Sequence, residues 1–180
     1  LPVGTKNVEI RVQQSDLNPY VKLIESVPAS PDVQVAILKN TISVFVYDID
    51  TKKAIAFADE TDVNVSDAEY IVLNCDYIFL GVKPQMLKSL FEKLLPVIEE
   101  RTTDFTLVSM AAGVSLESLR LMAQVDCPII RIMPNMPASV GEGMILYTYN
   151  EFVSKEDVDG FLDTMKYAGL LDKIEEDKID

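Results

Sequence analysis

Three apolar runs, each closing on small or turn-forming residues just before a helix-forming stretch, constrain this chain more than any other feature. They are Phe79-Leu-Gly-Val-Lys-Pro-Gln85, Leu107-Val-Ser-Met-Ala-Ala-Gly-Val-Ser115 and Arg131-Ile-Met-Pro-Asn-Met-Pro-Ala-Ser-Val-Gly-Glu-Gly143. In an open parallel sheet the carboxyl ends of the strands lie side by side, so three such endings predict one crevice where a ligand sits.

The rest of the chain supports that architecture from Thr41 onward. Ile42-Ser-Val-Phe-Val-Tyr47 is a β-branched and aromatic run suited to a strand buried on both faces. It stops at Asp48-Ile-Asp50, and a helix with Ala54, Ile55, Phe57 and Ala58 follows. Ser66-Asp-Ala-Glu69 reads as a capping box opening a helix through about Asn74. Tyr77 to Val82 is the next strand, and Pro84 suits the first turn of a helix. Leu87, Leu90, Phe91, Leu94, Leu95 and Ile98 form one apolar stripe at the helical period.

Phe105 to Met110 is a further buried strand, and Ser115 caps a helix with Leu116, Leu119 and Met122 facing inward. Ile129 to Met133 and Met144 to Tyr149 are strands. Ser154-Lys-Glu-Asp157 is a second capping box, ahead of a helix that buries Val158, Phe161, Leu162 and Met165. Gly169 is expected to end that helix, with Leu170 to Ile174 as the last strand. Alternating strands and helices, with strands apolar throughout, predict an α/β fold: a doubly wound, mostly parallel sheet with helices on both faces.

Residues 1–40 read differently. Lys6 to Val12 alternates like a half-buried strand, Asp16 to Pro19 is a turn, and Tyr20 to Ile24 is a short strand-like run. Two prolines punctuate Val27 to Asp32, and Asp32 suits the cap of a short helix through Lys39.

Composition narrows the function classes. The formal net charge of -13 repels phosphate backbones and anionic lipid, which disfavours nucleic-acid and membrane-surface roles. The absence of histidine removes Ser/His and Cys/His nucleophilic chemistry and most zinc sites. Cys75 and Cys127 have no partner at metal-ligand spacing and read as small buried hydrophobes of a reducing compartment. No run reaches the roughly 18 apolar residues a membrane span needs. A soluble cytoplasmic protein without a bound metal is expected.

At the first strand end, Gly81 admits a ligand to the backbone, Val82 offers an apolar contact, Lys83 supplies a local positive charge and Pro84 sets the helix start. At the second, Met110 leads into Ala111, Ala112 and Gly113, whose lack of side chain suits a planar ring against the backbone. At the third, Asn135, held between Pro134 and Pro137, suits a carboxamide or a ribose hydroxyl. Each of these stretches is also what a tight strand-to-helix turn looks like. Asp48 suits a ribose 2′-hydroxyl and repels a 2′-phosphate; equally, Asp48 and Asp50 are suited to capping the helix that follows.

Taken together, Phe79 to Gln85, Ser109 to Ser115, Arg131 to Pro137, Val140 to Gly143 and Glu175-Glu-Asp-Lys-Ile-Asp180 resemble the successive motifs of the pyrroline-5-carboxylate reductase family, in its order and at its spacing. The resemblance covers about residues 41 to 180. It implies an oxidoreductase that reduces the imino acid Δ1-pyrroline-5-carboxylate to L-proline with NADPH or NADH, in proline biosynthesis. It also implies that Gly81 to Pro84 and Met110 to Ala112 line the nicotinamide half of the cofactor site, with Pro134 and Asn135 at its floor.

Two departures stand beside the match. The family opens with a glycine-rich turn that admits a pyrophosphate to a helix N-terminus. No glycine lies between Gly4 and Gly81 here, and the glycine positions fall on Ala29, Pro31 and Gln34. Weak or absent dinucleotide binding follows as an expectation, and the family asparagine on the adenosine side falls on Ala68. The family also continues past the equivalent of Asp180 into a helical domain that makes its homo-oligomer and most of its imino-acid site. That domain is expected to be absent, leaving the chain alone inactive. The alternative reading is therefore a non-catalytic interaction domain of the same fold that has lost dinucleotide binding.

Overall fold

The structure, a computed structural model, describes residues 43–61 and 63–180. The expectations for residues 1–42 lie outside the described residues. In chain order the elements are β1 (Phe45–Val46), α1 (Thr51–Thr61), β2 (Asn64–Val65), α2 (Ala68–Asn74), β3 (Tyr77–Leu80) and α3 (Pro84–Glu100). There follow β4 (Thr106–Ser109), α4 (Leu116–Ala123), β5 (Ile129–Met133), a 3-10 turn (Met136–Val140), β6 (Gly143–Tyr149), α5 (Lys155–Met165), β7 (Gly169–Lys173) and a short 3-10 turn (Glu176–Lys178).

Strands β3 to β7 form one sheet in sequence order. β3, β4 and β5 run parallel, with Leu80 beside Ser109 and Ser109 beside Arg131. β6 is antiparallel to β5, and β7 parallel to β6. β1 and β2 make a separate parallel pair, Phe45 to Asn64 and Val46 to Val65. The mixed α/β architecture expected from the sequence is present, with a mostly parallel sheet.

Alternation along the strands sends side chains to two cores. Ile78, Leu80, Leu107 and Ile129 join Leu87, Phe91, Leu94 and Ile98 of α3 and Leu116 and Leu119 of α4 on one face. Val108, Ile130, Ile132, Ile145 and Tyr147 join Phe161 and Met165 of α5 on the other. The β4 strand is buried at all four positions, as a central strand covered on both faces must be.

Local signals set most helix boundaries. Pro84 occupies the first turn of α3, and the Ser115 hydroxyl accepts from the Ser118 amide at 3.1 Å to open α4. Ser154 and Asp157 form the reciprocal capping box of α5, at 3.1 and 2.8 Å. The box at 66–69 is displaced by one residue. Asp67 is the cap, and its carboxylate accepts from the Tyr70 amide at 2.6 Å.

Two further expectations are corrected, and the direction of β6 has a physical cause. In the run from Ile42, the described residues pair at Phe45 and Val46, both half-buried, with Tyr47 48% exposed; among the described residues the ladder has one neighbour, β2. Helix α5 ends at Met165, and Gly169 instead opens β7 with φ +136°. β6 runs against β5 because the connection at 134–142 is shorter than the crossover of about a dozen residues that a parallel return needs. The end of β6 is fastened to the start of β5 by buried Asn150. Its amide donates to the Ile129 carbonyl, and its side chain accepts from the Ile129 amide and donates to the Cys127 carbonyl.

Candidate functional site

The parallel register of β3, β4 and β5 brings their three carboxyl ends to one edge of the sheet. Gly81 to Pro84 follow β3, Met110 to Gly113 follow β4, and Pro134 and Asn135 follow β5. Lys83 is exposed at the N-cap of α3. Ala111 is buried, its amide donating to the Ser109 hydroxyl at 3.3 Å, while Ala112 and Gly113 are exposed. Gly113 has φ +71°, a conformation that favours glycine, and a Cβ built on it meets nothing within 4 Å. A side chain at this one position would therefore meet open space.

Asn135 is exposed, but its side-chain carbonyl accepts from the Met144 amide at 3.0 Å. It pins the two ends of the turn between β5 and β6 and leaves its amide nitrogen to donate outward. Pro134 beside it is buried. Asp48 lies past β1, where its carboxylate accepts from the Asp50 amide at 2.8 Å; Asp50 in turn accepts from the Lys52 amide at 3.1 Å. Asp50 thus caps the first turn of α1, while Asp48 closes a turn onto the Asp50 amide.

Sequence reasoning missed the most polar part of this edge. Arg131 stands in phase with Ile129 in an apolar strand, its side chain only 4% exposed. Its guanidinium holds both Asp180 oxygens at 2.8 and 3.0 Å and Glu176 at 3.3 Å. Each carboxylate also accepts a backbone amide of the β4–α4 connection: Asp180 from Gly113 at 2.9 Å, and Glu176 from Leu116 at 2.6 Å. The signal was present in the sequence. A lone arginine inside Ile-Ile-Arg-Ile-Met must find carboxylates, because a buried cation without partners is too costly.

The Gly113 amide and the Arg131 guanidinium together hold the Asp180 carboxyl below the usual carboxylate range. A depressed folded-state pKa contributes stability that is fully present above the unfolded value and lost as pH falls through the folded one. Wild type should therefore be more stable than Asp180→Asn near neutrality. The gap in Tm should close as pH drops from the ordinary aspartate value of 3.8 through the lower folded one. Thermal melts from pH 7 to pH 2.5 check this, and a gap constant over that range would contradict it.

Neither cysteine supplies a reactive thiolate. Burial pushes the Cys127 thiol up to about 11, and burial also raises the half-buried Cys75 thiol, so both stay protonated at neutral pH. Among the described residues no cluster of three or more Cys, Asp or Glu is placed to hold a metal, and no helix is long and apolar enough to cross a membrane. A hollow of about 290 Å³ lined by Arg120, Leu121, Gln124, Val125 and Asp126 lies at the far end of α4, towards the amino end of β5 and away from this edge. Its side chains are tied to one another, Arg120 bridging Glu117 and Asp126 at 3.0 Å each, and it gathers no convergent polar groups.

The fold is that of a Rossmann-like α/β domain, with three loops brought to one edge at the carboxyl ends of its parallel strands. Comparison with known proteins identifies the kind. Residues 34–113 match the family described as NADP oxidoreductase, coenzyme F420-dependent. A pyrroline-5-carboxylate reductase of Corynebacterium melassecola is 29% identical over 118 residues, which are 66% of this chain and 44% of that protein. Pyrroline-5-carboxylate reductase 3 of Xenopus laevis is 32% identical over 114 residues, 63% of this chain and 40% of that one.

Among solved structures, the Coxiella burnetii pyrroline-5-carboxylate reductase superposes with a TM-score of 0.67 at 27% identity, covering 82% of this chain and 56% of that one. The Plasmodium falciparum enzyme, solved with NADP bound, gives 0.57 at 28% identity, with coverages of 64% and 43%. The chain is a relative of the pyrroline-5-carboxylate reductases, matched over their N-terminal domain. It spans less than half the length of the curated relatives it matches.

Proposed function

We propose that this chain is the nicotinamide-dinucleotide-binding part of an NAD(P)H-dependent oxidoreductase of the pyrroline-5-carboxylate reductase type, acting on a small imino acid in proline biosynthesis. The observation that carries the reading is the convergence of three loops, at 81–84, 110–113 and 134–135, on one edge of a parallel sheet. Exposed Ala112 and Gly113 offer a side-chain-poor surface, with nothing within 4 Å of where a Gly113 Cβ would lie, which suits a planar ring. Gly81 and Val82 form the opposite wall, Lys83 is the cation for a phosphate or carboxylate, and Pro134 and Asn135 are the floor. The outward amide of Asn135 suits a carboxamide oxygen.

A bound nicotinamide would supply the hydride. The chain's own residues then bind, orient and exclude water rather than attack, in keeping with the absence of histidine and of a reactive thiol. In this reading Asp48 favours NADH over NADPH, since a carboxylate at the end of the strand repels a 2′-phosphate. The part of the relatives that this chain does not span supplies the rest of the substrate site and the homo-oligomer, and the location is cytoplasmic.

A second reading, a non-catalytic interaction domain, is favoured by one observation: no glycine lies between Gly4 and Gly81, where a glycine-rich phosphate turn is expected. Calorimetric titration of the chain with NADH and NADPH separates the two. Saturable but weak binding, tighter for NADH and weakened roughly two- to fivefold by Lys83→Ala, is the expected result; an exposed cation contributes no more than that. No binding of either dinucleotide at millimolar concentration would leave the interaction-domain reading standing.

A further inference from the structure

The β4–α4 connection is anchored in the core at Ala111, Val114 and Leu116, but its crown at Ala112 and Gly113 is exposed and has no packing to hold its shape. Gly113 sits at φ +71° with nothing within 4 Å of where a side chain would be, and Ala112 is exposed. What fixes it from outside is a pair of shared carboxylates. Asp180 bridges the Gly113 amide to Arg131, and Glu176 bridges the Leu116 amide to the same guanidinium. Arg131, only 4% exposed, lies on the central strand of the sheet. The two carboxylates, 37% and 45% exposed, belong to the segment after β7, 60 and 67 positions from the amides they hold.

We propose that Arg131, Glu176 and Asp180 are positioning residues. They lock residues 110–116 in the shape that the nicotinamide half of the dinucleotide meets, so that the segment after β7 sets cofactor affinity without touching the cofactor. The inference rests on the functional reading given above for this edge. Its physical basis is that an amide donating to a charged carboxylate makes a stronger bond than one donating to a neutral acceptor. The carboxylate is in turn immobilised by a nearly buried guanidinium, so loss of either partner frees the glycine. The effect is confined to one end of the dinucleotide, because neither bridge reaches the β3–α3 or β1–α1 connections among the described residues.

The test uses the whole chain and three ligand-independent or ligand-split readouts. In Asp180→Ala, hydrogen exchange at the Gly113 amide should accelerate about tenfold, the loss of one charge-assisted hydrogen bond, while the β4 amides of Leu107 and Val108 stay protected. NADH affinity should fall by a similar factor, whereas ADP-ribose, which lacks the nicotinamide, should bind within about twofold of wild type. Asp180→Asn, whose side-chain oxygen can still accept from Gly113, should fall between the two.

Unchanged exchange at Gly113 overturns the proposal. Equal weakening of NADH and ADP-ribose also overturns it, because that is the signature of general destabilisation. If wild type binds neither ligand, the functional reading fails and the affinity half of this proposal fails with it. The exchange measurement then still decides whether the brace orders the loop.

Discussion

Gly169→Ala is expected to be the most damaging single-methyl change in the β6–β7 part of the sheet. Gly169 faces Gly143 where the β6–β7 ladder begins. A Cβ on Gly169 would lie 2.1 Å from the Gly143 carbonyl oxygen and 2.4 Å from its nitrogen, and these are backbone atoms that cannot swing aside. The residue also holds φ +136°, which an L side chain rarely adopts. Relief must come from separating the strands, and that loosens the whole ladder from Gly143–Gly169 to Tyr147–Lys173.

Strain of this kind together with lost ladder bonds costs roughly 3 kcal/mol or more. For a chain of this size that lowers Tm by about 6 to 12 °C. Thermal melts of Gly169→Ala beside Leu170→Ala, a truncation at the exposed neighbouring position, measure it. Equal Tm for the two variants would show that the strands accommodate the methyl. The same change bears on the crevice, because Gly143 follows directly on the turn that carries Pro134 and Asn135, and the Gly143 amide donates to the Ala168 carbonyl at 3.1 Å.

Much of this arrangement was legible from local chemistry. The α3 stripe at Leu87, Phe91, Leu94 and Ile98, the caps at Ser115 and Ser154, and the β5 strand at Ile129–Met133 each depend on residues within one or two turns of one another. Reading periodicity and capping therefore located them. The three strand ends that form the candidate site followed from the same reading, since small residues after an apolar run mark where backbone must stay open.

What was not legible depends on partners far away in sequence. The direction of β6 is decided by the length of the connection at 134–142 and by Asn150 reaching Cys127 and Ile129, neither of which alters the apolar pattern of the strand. Gly169 was read as a helix stop because a glycine after an amphipathic run usually is one; its close approach to Gly143 is visible only across two strands. The acidic stretch at 175–180 carries no periodicity. Its role emerges only once Arg131 is known to be buried and in need of a counter-charge.

Arg131→Met is expected to separate stability from organisation of the site edge. Breaking a buried ion pair costs about 3–5 kcal/mol when it strands a charge away from water. Here the groups left behind are Glu176 and Asp180, 37% and 45% exposed, so water can solvate them and the cost drops to the lower end, about 2–3 kcal/mol or some 4–12 °C in Tm. Methionine suits the strand, whose neighbours Ile130 and Ile132 are buried, so the sheet should survive.

Asp180 would lose one of the two groups that hold its carboxyl below the usual range. Its titration should therefore move up towards the ordinary aspartate value, and stability should become less sensitive to acid than in wild type. Urea melts at neutral pH and an NMR titration of the Asp180 side chain test both parts. A variant as stable as wild type with the Asp180 midpoint unmoved would mean that Arg131 and the 176–180 segment are neighbours rather than partners. The candidate cofactor edge would then owe its shape to the β4–α4 connection alone.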